Sequence, residues 1–313
     1  MSEVKKIATR DSYGNALVSL AAEKDDFIVL DADLAAATKT GAFKKSYPDR
    51  FYDCGIAEQN MVSIAAGVAA TGKKVFCSSF AMFAAGRAFE QVRNSIAYPH
   101  LHVIIGATHA GISVGEDGAT HQCNEDLALM SVIPGMTVIN PADDIEAKAA
   151  VYAAYEHDGP VYIRFGRLAT PVIFDDYYKF EIGKGVKLLD GDDFSIIATG
   201  LMVNEALIAA EKLKSEGINA RVINISTIKP IDKEIIIKAA KETGAIVTVE
   251  EHSIIGGLGS AVCDVVSAEC PVPVVKIGVK DTFGVSGPAT ELLDKYGLRA
   301  ANIIEAVEKL LKK

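Results

Sequence analysis

Gly106 to Gln122 reads G-A-T-H-A-G-I-S-V-G-E-D-G-A-T-H-Q and follows directly on the apolar run Leu101-His102-Val103-Ile104-Ile105. The run has the length and composition of a buried parallel strand. A glycine-dense loop at the carboxyl end of such a strand is where open α/β sheets take up ligands. Gly106, Gly111, Gly115 and Gly118 allow the backbone to approach a bound group closely. His109, His121, Glu116 and Asp117 add polar groups to the same loop. The competing reading is a solvated surface loop. Histidine and acid together on a glycine loop after a buried strand favour a polar site.

Upstream of this loop, Ala16, Leu17, Leu20 and Ala21 mark a helix over Tyr13 to Lys24, with Asp11 or Ser12 as its N-cap. Phe27 to Leu30 reads as a buried strand, 35–44 as a small polar loop, and Phe51 to Cys54 as an edge strand. A helix over Glu58 to Thr71, a strand over Val75 to Phe80 and a helix over Ala84 to Ile96 lead back to the central strand. Downstream come a strand over Thr137 to Ile139, a helix over Asp143 to His157 and a strand over Val161 to Phe165. Residues 171–190 lack a sustained period and read as a linker. Beyond it, strands over Phe194 to Ala198, Ala220 to Ile225, Ala245 to Val249 and Pro273 to Ile277 alternate with helices. One of those helices is expected to open at Pro230, and the last spans Asn302 to Leu311. The alternation predicts an α/β fold of two domains, 1–170 and 191–313, each with a mostly parallel sheet flanked by helices.

At 313 residues the chain is long enough for two such domains. Half of it is hydrophobic and 23% is charged, as in ordinary globular α/β proteins. A net charge of −9 argues against nucleic acid or an anionic membrane as partner. No apolar run approaches the roughly 20 residues of a membrane span, and the amino terminus lacks the apolar core of a signal peptide. The five cysteines form neither a C-x-x-C pair nor a zinc spacing. These features predict a cytoplasmic protein with free thiols.

The central loop resembles the substrate loop of transketolases. The resemblance extends to Asp53-Cys54-Gly55-Ile56-Ala57-Glu58-Gln59-Asn60-Met61 upstream, and to Ile133-Pro134-Gly135-Met136-Thr137-Val138 and Asn140-Pro141-Ala142-Asp143 downstream. It covers nearly the whole chain and matches the second half of a full-length transketolase. It implies a pyrimidine-binding domain, a transketolase carboxyl-terminal domain, and two-carbon ketol transfer between sugar phosphates with thiamine diphosphate. Glu58 then becomes the carboxyl group that hydrogen-bonds the aminopyrimidine; on spacing alone it reads equally as a first-turn helix acid. Phe80 and Phe83 become ring walls, although such a pair is more often core. The family's next aromatic position is Gly86 here.

The resemblance further places Asp33 near the thiazolium ring, and makes His109, Asp117 and His121 sugar-binding and proton-shuttling residues. Histidine suits proton exchange near neutral pH. Arg10 and Arg164 are carried over as holders of the substrate phosphate, a task suited to a guanidinium fork. The family's phosphate-contacting serine is Ala37 here, with Thr38 beside it. The catalytic set is thus Glu58, His109 and His121, the cofactor set Asp33, Glu58, Phe80 and Phe83, and the substrate set Arg10, His109, Asp117 and Arg164; no metal ligand is assigned.

Enzymes of this type hold the diphosphate through Mg²⁺ or Ca²⁺ on a G-D-G motif, and the similar run Glu116-Asp117-Gly118 belongs to the central loop. The expectation is therefore a separate amino-terminal transketolase subunit that binds the metal and shares the cofactor, in a two-fold symmetric assembly in which this chain also self-associates. Deoxyxylulose phosphate synthase and the β subunit of 2-oxo acid dehydrogenases use the same architecture. His109 argues against the first, and Glu116-Asp117 with His121 against the second. A non-catalytic paralogue is the remaining alternative. The glycine run Gly256-Gly257-Leu258-Gly259 carries Val262 where a dinucleotide fingerprint needs glycine, so it reads as tight helix–strand packing. Glu250, Glu251 and His252 read as structural.

Overall fold

A computed structural model describes residues 5–311. Its first sheet has seven strands. From one edge they are Thr227–Lys229, Thr137–Ile139, Val161–Arg164, Val103–Thr108, Lys74–Phe80, Phe27–Asp31 and Phe51–Asp53. All neighbours are parallel except the first pair. The apolar runs that predicted buried strands fill its middle, where both faces are covered. The helices Thr9–Glu23 and Asp144–Glu156 pack Tyr13, Leu17, Leu20, Ala150 and Val151 against Phe27, Phe76 and Ile104 on one face. On the other face the Glu58–Ala69 helix buries Met61, Val62 and Ala65. That core continues without a break into Ile225, Ile228 and Ile236 of the second half.

A second sheet orders Val274–Val279, Ile246–Ser253, Phe194–Ala198, Ala220–Asn224 and Val186–Leu189, with only the last strand antiparallel. The architecture is thus α/β with two mostly parallel sheets flanked by helices. No helix among the described residues is long and apolar enough to cross a membrane.

The structure departs from the sequence reading in several elements. The Thr9–Glu23 helix starts ahead of both proposed caps, and Thr9 Oγ1 instead accepts the Gly166 N–H at 2.8 Å. Within 35–44, Ala35–Thr38 and Gly41–Ser46 are short helices. They gather around buried Asp31, whose carboxylate accepts from Leu34 N, Thr38 Oγ1 and Thr40 Oγ1. The segment expected as a helix over 84–96 is wound in wide turns at Met82–Arg87 and Val92–Ala97, with i→i+5 bonds from Ala88 N to Phe83 O and from Tyr98 N to Arg93 O. Such turns concentrate at functional sites. Pro230 opens no helix: Thr227–Lys229 is a strand, and Asp232 caps the Lys233–Thr243 helix. Val186–Leu189, inside the stretch read as linker, is an edge strand.

The glycine run beyond the Ile246–Ser253 strand is already filled from within. The Glu250 carboxylate accepts from Leu258 N at 2.7 Å and Gly259 N at 2.8 Å, at the amino end of the Leu258–Glu269 helix. A Cβ on Gly257 would lie 2.0 Å from Glu250 Oε2. The slot that would cradle a phosphate in a dinucleotide fold thus holds the protein's own carboxylate.

Candidate active site

The parallel strands end together at Asp31, Asp53, Phe80, Thr108 and Arg164, and the site lies along this carboxyl edge. Glu58 occupies the first turn of its helix and is 2% exposed. Its Oε2 accepts from Arg87 Nη1 at 2.8 Å and its Oε1 from Ser79 Oγ at 3.3 Å. The Arg87 guanidinium lies 4.5 Å over the Phe83 ring. Phe83 stacks with Phe80 at 5.9 Å, and Phe80 stacks on His109 at 3.9 Å. His121 stands edge-on to Phe83 at 5.3 Å. From His109 the line passes to Arg10, whose Nη1 donates to His109 Nε2 at 2.7 Å. Arg167 stands beside the far end, 3.3 Å from Glu116 and 3.9 Å from Asp117. A buried carboxylate, a wall of rings and a cationic mouth therefore form one continuous surface.

The hydrogen bonds assign the His109 tautomer. Arginine can only donate, so Nε2 carries the lone pair and Nδ1–H donates to Thr108 Oγ1 at 2.9 Å. Burial pushes the His109 pKa down to about 3, aided by the charges of Arg10, Arg167 and Lys39. The imidazole is neutral at working pH. An unfolded histidine takes a proton below about 6.5, and the folded one refuses it until about 3. His109 therefore costs no stability above about 6.5, and costs progressively more as pH falls from there toward 3. Buried Glu250 and Glu251, each raised to about 7 by burial, act in the opposite sense over part of that window. The expected result is a difference between proteins: wild type loses melting temperature relative to His109→Gln as pH falls from 7 to 4. Parallel melting curves would contradict it.

Most of the residues expected from sequence meet here: Glu58, Phe80, Phe83, His109, His121, Arg10 and Asp117. Asp33 stands exposed at the end of the neighbouring strand, at φ 61°, its N–H bonded to Asp53 Oδ1. Arg164 does not reach the site and is a correction. It is 3% exposed, with Nε paired to the buried Asp126 at 2.9 Å and Nη2 donating to Cys123 O and Glu251 O. Along a strand, side chains alternate between faces, and Arg164 points with Tyr162 toward Asp126 instead of off the strand end.

The cation at the mouth is Arg167, three residues on and past the strand. Sequence reasoning missed it, and Arg87 and Lys39 with it. A search restricted to the residues just beyond each strand's carboxyl end would have found Arg167. Among the described residues no group of three or more His, Cys, Asp or Glu could hold a metal ion. The rings and the Glu58 carboxyl are the groups that suit a flat heteroaromatic ring offering a hydrogen bond, which would take the place that Arg87 or Ser79 now has on Glu58.

The site thus defines a class: an α/β protein that sets a buried carboxylate and a run of rings at one end of a sheet edge and arginines at the other. Residues 5–172 match the model of the transketolase pyrimidine-binding domain, and 183–303 that of the transketolase C-terminal domain. A putative transketolase C-terminal section from Methanocaldococcus jannaschii is 50% identical over 97% of this chain and 96% of its own length. A 6-deoxy-6-sulfo-D-fructose transketolase subunit from Clostridium is 43% identical over 97% of this chain and 94% of its own. The structure of a split gene transketolase, described as an inactive beta4 tetramer, superposes with a TM-score of 0.92 at 54% identity, covering 98% of this chain and 99% of that one. The chain belongs to the transketolase family.

Proposed function

We propose that this chain is the carboxyl-terminal subunit of a split transketolase. It transfers a two-carbon ketol unit between sugar phosphates, and works only with a separate diphosphate-binding subunit in a two-fold assembly. The observation that carries this reading is the unbroken line from Glu58 through Arg87, Phe83, Phe80 and His109 to Arg10. The separate subunit is supported by relatives described as a section and as a subunit, which this chain covers over 96% and 94% of their own lengths. Full-length human transketolase, 40% identical, has twice the span: this chain covers 50% of it.

Thiamine diphosphate, when bound, supplies the reactive carbon and the electron sink of the transfer. Glu58 would hydrogen-bond the aminopyrimidine nitrogen, and Phe80 and Phe83 would pack on that ring. Asp33, exposed just past its strand's end, would border the cofactor. Asp117 accepts from a sugar hydroxyl. His109, held neutral and bonded through both ring nitrogens, orients Arg10 at the sugar end of the site, so proton exchange falls to His121. Arg10 and Arg167, with Lys39 behind them, replace the Arg10–Arg164 pair as the phosphate holders. The diphosphate and its Mg²⁺ or Ca²⁺ belong to the partner subunit.

The test is ketol transfer from xylulose 5-phosphate to ribose 5-phosphate, with thiamine diphosphate and Mg²⁺, by this chain alone and with a diphosphate-binding subunit. Activity appears only in the mixture. Activity of the chain alone, or a mixture that binds cofactor yet ignores sugar phosphates, sinks the reading. Arg167→Ala should raise KM for phosphorylated sugars by about 10- to 100-fold, the worth of one charge-assisted hydrogen bond. Non-phosphorylated sugars should be turned over as by wild type; an equal loss on both would remove Arg167 from the phosphate site.

A further inference from the structure

The residues assigned to the site all come from the stretch 5–172 that matches the pyrimidine-binding domain, yet the loop that carries His109, Asp117 and His121 is seated on residues beyond it. The first seat is Glu251, near the end of the Ile246–Ser253 strand, whose Oε1 accepts the Ser113 N–H at 2.5 Å. A Cβ on Gly111 would lie 2.4 Å from the Glu251 Cδ, and Gly111 is at φ +81°, so glycine is required there twice over. The second seat is Gln122. Its Nε2 donates to Ile112 O and Gly115 O within the loop and to Val285 O across from it, at 3.1, 3.3 and 3.0 Å. The third is the 285–288 segment. A Cβ on Gly118 would lie 2.4 Å from Ser286 Oγ, and one on Gly115 would lie 3.4 Å from Gly287 O. Arg164 closes the arrangement by bonding both Cys123 O and Glu251 O.

A loop this rich in glycine loses much conformational entropy on ordering, and its Ile112 is buried in a core formed mainly by the second half of the chain. Its shape must be imposed from outside. We propose that the carboxyl-terminal half is the brace of the substrate loop, with Glu251 as the positioning residue that sets the height at which His109 and Asp117 stand over the first sheet. The catalytic consequence rests on the sugar-phosphate reading above; the brace itself is a property of the chain alone.

The two are separable by experiment. In the isolated chain, amide hydrogen exchange at residues 111–118 should be about 100-fold faster in Glu251→Ala than in wild type. It should be near normal in Glu251→Gln, which keeps an oxygen for Ser113 N–H. The Val103–Thr108 strand serves as the control and should not respond. Unchanged loop exchange, or equal acceleration in the strand, overturns the brace. Gly111→Ala drives a methyl into the Glu251 carboxyl, so its effect combined with Glu251→Ala should be less than the sum of the two; strict additivity also overturns the brace. In the assembled enzyme, Glu251→Ala should raise KM for sugar phosphate about tenfold with cofactor affinity unchanged, and Glu251→Gln should restore it. Loop exchange that responds as stated, in an assembly that transfers no ketol, upholds the brace and overturns the ketol-transfer reading.

Discussion

Glu58→Ala, assembled with its diphosphate-binding partner, should lose about 10³-fold in kcat, within the range of general acid–base contributions, while folding and assembly persist. Glu58 is 2% exposed, and a lost buried ion pair would ordinarily be a stability problem. Here the other member, Arg87, has a side chain 48% exposed and already lies over Phe83. Its guanidinium can turn to water, so no charge is stranded, and the cost in stability is about 1 kcal/mol. The carboxyl group is irreplaceable for a different reason. On the proposed function, only a group able to share a proton with a ring nitrogen would hold the aminopyrimidine of bound thiamine diphosphate for reaction. Glu58→Gln should therefore fail almost as badly, despite its shape. Steady-state turnover of the mixed subunits, beside a thermal melt of each variant, is the measurement. A variant that keeps a tenth of the wild-type rate would remove Glu58 from the chemistry.

Arg164→Ala should do the reverse, unfolding the chain readily instead of weakening substrate binding. Asp126 is 0% exposed and would keep only the Tyr162 hydroxyl, at 2.8 Å. Cys123 O and Glu251 O would lose a donor as well. Breaking a buried pair by deleting one partner costs about 3–5 kcal/mol. That corresponds to a fall of about 5–8 °C in melting temperature for a chain of this size. Arg167→Ala, by contrast, removes a side chain 36% exposed, which donates to Val114 O and whose ion pairs are with exposed Glu116 and Asp117. Such pairs are worth at most about 1 kcal/mol. Urea melts of the two variants side by side decide between them. An Arg164→Ala protein that melts with wild type but shows a raised KM would return Arg164 to the phosphate site.

Those two arginines show where sequence reading stops. The Val161–Arg164 strand was legible from its apolar run, and so was the principle that ligands gather at strand ends. A resemblance in letters does not show which of two arginines three apart faces the sheet's interior and which clears its end; a strand's alternation does. The loop of His109 and Asp117 was legible as a polar site because glycines, histidines and acids follow a buried strand, whereas Glu58 was even on spacing between site residue and helix acid and was singled out by the family resemblance. Arg87 was not, since it meets Glu58 across 29 residues through wide helical turns that no periodicity announces. The strand Thr227–Lys229 was hidden for a similar reason. Three residues carry no pattern, and only the edge they complete gives them meaning.

That short strand bears on how such proteins can be recombined. It enters the first sheet from beyond residue 183, pairing Thr227 with Ile139, and the Lys229 ammonium donates to Ser131 O and Ile133 O. Two domain families meet between residues 172 and 183, and there the chain looks divisible. A chimaera joined at that point would exchange the outermost strand of the catalytic sheet, a cation sealing two of its loop carbonyls, and Glu251 under the substrate loop, all at once. The modules that evolution labels separately are here mechanically one inheritance, and shuffling them should succeed only between parents whose strand, lysine and glutamate already match.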